Sequence, residues 1–135
     1  FDDREGAGAA LFRDRCESCH RARLNPEDPA SAVPFDRWEE LIFSPNGPIV
    51  WASTEYQKTG VVPYVHELGA RTTGLRRVTH KQPHFTNGCA RTLSEVLERA
   101  RFAGERFLHA AASETNVTAL TQSEREALLA FLELL

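Results

Sequence analysis

The sequence predicts an all-α fold: one domain over residues 1–135, with helices at both ends and long loops between. Four segments place apolar residues at helical spacing, no segment shows the strict two-residue alternation of a half-buried strand, and 135 residues suit one apolar core. The first helix is expected over about Arg4 to Arg15, with Ala7, Ala10 and Leu11 on one face, running directly into Cys16. The second begins near Asp36, where Asp36 and Glu39 have the spacing of a capping box and Trp38, Leu41 and Ile42 supply the apolar side.

The third helix starts at Thr92, with Glu95 three residues on, and carries Leu93, Val96, Leu97 and Ala100. The last starts at Thr121 with Glu124 as its partner, and Leu128, Leu129, Phe131, Leu132 and Leu135 give it a broad apolar face that must be buried. Between the second and third helices lies a stretch from about Ser44 to Arg91, punctuated by Pro45, Gly47, Pro48, Gly60, Pro63, Gly69, Gly74, Pro83 and Gly88. A loop of that length inside a small domain implies a function or an internal scaffold.

Composition excludes several classes. Net charge is −3, and the 16 basic residues include only two lysines, Lys58 and Lys81, with the arginines scattered, so no patch points to nucleic acid or steers an acidic partner. No apolar run approaches the roughly 20 residues that span a bilayer. The chain opens on Phe1 rather than Met, and a removed export signal would fit that start. There is no Ser-His-Asp arrangement, paired-carboxylate site or phosphate loop to support hydrolytic chemistry.

The chemistry-bearing motif is Cys16-Glu17-Ser18-Cys19-His20, a C-x-x-C-H. Two thiols at this spacing can add to the two vinyl groups of one haem, and the adjacent imidazole then reaches the iron from the proximal side. A zinc site would need a second close pair of ligands, yet the only other cysteine is Cys89. A thioredoxin-like pair would follow a strand in a βαβ unit, a context the sequence does not show. The motif therefore predicts one covalent haem c held at Cys16 and Cys19 with His20 on the iron. Trp38 and Trp51 are expected to pack in the core or against the haem.

A wider resemblance rests on particular residues. Gly6 through His20 looks like the opening of many class I cytochrome c domains. Leu75-Arg76-Arg77-Val78, Pro83-His84-Phe85-Thr86-Asn87-Gly88-Cys89, Thr92-Leu93 through Val96-Leu97, and Leu120-Thr121 with Leu128-Leu129-Ala130-Phe131-Leu132 follow in an order of their own. That order resembles the C-terminal, electron-relaying haem domain of bacterial dihaem cytochrome c peroxidases and their methylamine-utilisation relatives. The resemblance covers about residues 6–20 and 68–135. It implies a cytochrome c-like helical domain wrapped around the haem. It also implies His20 as proximal ligand, Arg76 as the partner of a haem propionate, and Pro83 and Phe85 on the loop facing the cofactor.

The departures from that family are informative. The relay haem takes a distal Met where this chain has Phe85, and no Met occurs anywhere in it. The family's following His is Thr86 here, its Ser is Cys89, and a second C-x-x-C-H is missing, so two-haem peroxidase activity does not carry over. Candidates for the distal iron ligand are His84 first, then His80 and Cys89, with Lys81, His66 and His109 behind them. An open iron walled by Phe85 is the alternative. The expectation is a periplasmic or otherwise exported electron carrier rather than an enzyme, working with a redox partner protein. The runners-up are a ligand-binding or peroxide-reactive haem protein, and one haem subunit of a larger redox assembly.

Overall fold

The structure, a computed structural model, describes residues 1–54, 56–57, 70–72, 74–85, 88–104, 106–108 and 117–135. Helix α1 (Asp3–Arg15) starts at a reciprocal capping box, in which Asp2 accepts from the Glu5 N–H at 2.8 Å and Glu5 accepts from the Asp2 N–H at 2.7 Å. Its fully buried residues are Gly8, Ala9 and Phe12; of the expected face, Leu11 packs half-buried against the core, Ala10 is half-buried and Ala7 is exposed. Small residues on several sides leave the helix with no strong apolar stripe, and the large Phe12 decides which side goes inward.

A 3₁₀ turn, Phe35–Arg37, leads into the short α2 (Trp38–Ile42). The Asp36–Glu39 box predicted there does not form, since neither helical start has a side-chain cap. The Trp38 indole instead donates to the Val33 carbonyl at 3.0 Å and fixes how the chain enters the turn. Helix α3 (Leu93–Arg99) is capped by Thr92, and Glu95 reaches past the cap to accept from the Arg91 N–H. Helix α4 (Gln122–Leu132) begins at the predicted Thr121–Glu124 box.

The all-α expectation is corrected. Short antiparallel strands join the helices, and the domain is of mixed class: β1 (Ala22–Arg23) pairs with β2 (Val50–Trp51), and β3 (Tyr56–Gln57) pairs with β4 (Ala70–Arg71). A third sheet has β5 (Arg101–Ala103) between β6 (Arg106–Leu108) and β7 (Thr118–Ala119). Strands of two or three residues cannot display an alternation that needs four or more to be read. The 44–91 stretch is accordingly more than loop among its described residues, since it holds β2, β3, β4 and a 3₁₀ turn at Val78–His80.

One apolar core ties these elements together. Helices α1 and α4 cross at Gly8, where an added Cβ would run into the Ala127 carbonyl and lie 2.9 Å from the Phe131 Cβ. Around that crossing the rings of Phe12, Trp38, Trp51 and Phe131 interlock, with centroids 5.3 Å apart for Phe12–Trp51 and Phe12–Phe131 and 4.9 Å for Trp38–Trp51. Such tilted and edge-to-face contacts add to area burial. Trp38 and Trp51 are buried, as the sequence predicted.

Candidate functional site

The C-x-x-C-H motif is the turn that ends α1. Cys16 is the C-terminal cap, its N–H still bonded to the Phe12 carbonyl at 2.8 Å. The Cys16 carbonyl then accepts from the Cys19 N–H at 3.2 Å and the His20 N–H at 2.8 Å. One carbonyl thus folds the backbone into a tight loop that carries both thiols and the imidazole. Cys16 and Cys19 are thiols, not joined as a disulfide. Cys16 packs against the core, and the His20 ring lies 6.2 Å from the Phe12 ring, so the helix that buries Phe12 also supports the imidazole.

The electrostatics of the turn separate two chemistries. A redox cysteine pair needs a stabilised thiolate, which helix N-termini and cationic neighbours provide. Cys16 sits at the opposite, negative end of a helix. Burial, with a smaller contribution from Cys19, pushes its thiol up to about 12, against a weak pull from Arg15. That environment keeps Cys16 protonated and disfavours dithiol exchange. Within the motif, burial also raises the Glu17 carboxyl, with Arg21 and Arg13 opposing; the Arg21–Glu17 distance is 3.9 Å. Among the described residues no three His, Cys, Asp or Glu side chains gather into a metal-binding group.

Directly after the motif the chain enters a three-stranded arrangement. The Arg21 carbonyl accepts from the Ala52 N–H at 3.0 Å, the Ala22 carbonyl accepts from the Val33 N–H at 2.8 Å, and Arg23 pairs with Val50 on one side and Ala32 on the other. The region that matched no family pattern therefore braces the motif's downstream side.

In the second group of predicted residues the described parts pair as a hairpin, with His84 bridged antiparallel to Ala90. The His84 N–H donates to the Ala90 carbonyl at 2.7 Å, and the Gly88 N–H donates to the Phe85 carbonyl at 3.2 Å. Closing it requires positive φ at Phe85 (67°) and Gly88 (65°). Gly88 takes this without strain, whereas a Phe in the left-handed region is a genuine outlier, costing on the order of 1–2 kcal/mol. Phe85 offsets it by packing on the same core as Cys16. Pro83 is exposed over Gly88, and Cys89 is half-buried.

His84 is the member of this hairpin with free coordinating capacity. Its Nε2 is buried with no hydrogen-bond partner, and burial lowers its pKa, which favours the neutral imidazole. His80, the last residue of the Val78–His80 turn, is exposed, as is Lys81, which donates to the Gly74 carbonyl. His66, His109 and Thr86 lie outside the described residues. Arg76 is exposed, in a shallow groove of about 200 Å³ with Ile49, Trp51, Leu134 and Leu135; the motif residues do not line it.

The structure thus gathers Cys16, Cys19 and His20 on one turn, and Pro83, His84, Phe85 and Cys89 on another, with both turns resting on the same core. Comparison with protein-family models, with curated proteins and with solved structures gives no match. The likeness to haem domains rests on the residues quoted above.

Proposed function

We propose that this chain is a single-haem c-type cytochrome domain that passes electrons one at a time to a protein partner outside the cytoplasm. The observation that carries the reading is the 16–20 turn: two cysteines at C-x-x-C spacing at the end of a core-packed helix, one held as a thiol, with a histidine supported by Phe12 immediately after. When bound, haem supplies the one-electron chemistry at its iron. Cys16 and Cys19 hold it covalently, and His20 ligates from the proximal side. His84 fits the distal role, because a buried, neutral, unpartnered imidazole nitrogen is what such a ligand offers before it binds. The exported setting follows from covalent attachment, which in c-type cytochromes takes place after the chain has crossed the membrane. No helix among the described residues is long and apolar enough to cross a membrane.

Phe85 favours a second reading. An aromatic ring held in a strained backbone position and packed on the core could wall an open distal side, leaving the iron to bind small ligands.

The optical spectrum separates the two. With His84 on the iron, the oxidised protein is six-coordinate and low-spin, lacks a thioether-to-iron charge-transfer band, and has a midpoint potential below that of His/Met cytochromes. His84→Ala then becomes high-spin and binds carbon monoxide or cyanide quickly. An unmodified protein that is already high-spin and takes up these ligands at once overturns the electron-carrier reading in favour of the open-iron one. A low-spin spectrum that survives His84→Ala moves the ligand to His80 or Cys89.

A further inference from the structure

Arg23 holds a charge that nothing in the described chain answers. Its Nε and Nη1 are buried with no hydrogen-bond partner, and no acidic side chain among the described residues forms an ion pair with it. The nearby acid of the motif, Glu17, faces Arg21 instead. The residue as a whole is half-buried, and the two covered guanidinium nitrogens are donors that an anion could satisfy.

The backbone holds this cation in place. Arg23 pairs with Val50 on one edge and with Ala32 on the other, and the neighbouring Ala22 is completely buried. Successive strand side chains point to opposite faces, so Ala22 anchors the strand in the core while Arg23 projects from the other side. It lies three residues beyond His20, close along the chain to where the cofactor would attach. A strand fixed on both edges spares the side chain much of the ordering cost of binding an anion.

We propose that Arg23 is the chain's partner for a haem propionate, in preference to the exposed Arg76. This rests on the haem reading above. A propionate is the carboxylate that reading brings to the site, and a charge-assisted hydrogen bond from a guanidinium is among the strong polar contacts. The same positive charge near the iron favours the reduced state and raises the potential.

The test compares Arg23→Gln, Arg23→Lys and Arg76→Gln with the unmodified holoprotein. Intact mass first establishes that each carries covalent haem, independently of any role for Arg23. Arg23→Gln is expected to lower the midpoint potential and shift the propionate bending band in the resonance Raman spectrum. Arg23→Lys should restore much of the potential, and Arg76→Gln should move both readouts less than Arg23→Gln does. If Arg23→Gln does not accumulate with haem, the comparison of Arg23→Lys with the unmodified protein decides, because exchanging a guanidinium for an ammonium shifts the propionate band only where the two touch. Haem-loaded variants at Arg23 with unchanged potential and band overturn this proposal and leave the haem reading standing. An unmodified protein without covalent haem overturns both, and the mass alone reveals it.

Discussion

Gly8 is set by what faces it. Any side chain there meets the Ala127 carbonyl across the α1–α4 crossing, and backbone cannot step aside as a flexible side chain can. Gly8→Ala removes the usual helix penalty of glycine, about 1 kcal/mol, yet should still destabilise, because overpacking a close crossing costs on the order of 3 kcal/mol. Chemical denaturation should show a lower midpoint at unchanged slope; a variant as stable as the parent would mean the helices separate without cost. This role was not legible in the sequence, where Gly8 is one of two glycines in a run of alanines. Arg23 was equally hidden, since nothing in the run Arg21-Ala22-Arg23 distinguishes it from the chain's other arginines. Only the folded chain shows two of its guanidinium nitrogens buried without a hydrogen-bond partner. His84 was singled out in the sequence by the resemblance, and the fold adds only that its Nε2 is buried without a partner.

At the scale of elements, capping boxes show what sequence spacing can and cannot say. Near helix starts the D-x-x-E spacing occurs at Asp2–Glu5 and at Asp36–Glu39, but only the first forms a box. The second begins inside a 3₁₀ turn after Pro34, so its backbone never presents the N–H groups that a capping carboxylate needs. The Thr121–Glu124 box read from the sequence does form, and it anchors the helix that packs on α1. There the Thr121 N–H and hydroxyl both donate to the Glu124 carboxylate at 2.7 Å and hold its pKa below the ordinary glutamate value. A depressed carboxyl pKa contributes stability that is present above the unfolded-state value and is lost as pH falls through the folded one. Thr121→Ala should cost about 1 kcal/mol at neutral pH. Glu124→Gln should narrow its stability gap to the parent as the solution is acidified through the carboxylate range. Thermal melts across that range check both, and a gap that widens in acid would contradict the assignment. The strands escaped sequence reading for a different reason. Some pair with partners far along the chain, as when β1 meets both residue 32 and β2, and segments of two or three residues carry no pattern of their own.

For the whole molecule, the helical frame was legible and the sheet content was not. The apolar faces of α3 and α4 lie where their spacing put them, with Leu93, Val96, Leu97, Ala100, Leu128, Phe131 and Leu132 all buried. The α1 face was read only in part, because a helix rich in Gly and Ala offers little contrast. The C-x-x-C-H spacing was legible in the sequence, and the fold adds that a helix C-terminus and a buried thiol disfavour the thiolate that redox exchange would need. The central claim is that Cys16 and Cys19 bind one haem covalently. Its most direct test is the intact mass of the protein, produced with c-type maturation in an exported compartment and denatured in acidic organic solvent. The account predicts the polypeptide plus one haem, and the bare polypeptide for the Cys16→Ala, Cys19→Ala double variant. A parent protein at the bare polypeptide mass, or a double variant that retains covalent haem, would contradict it.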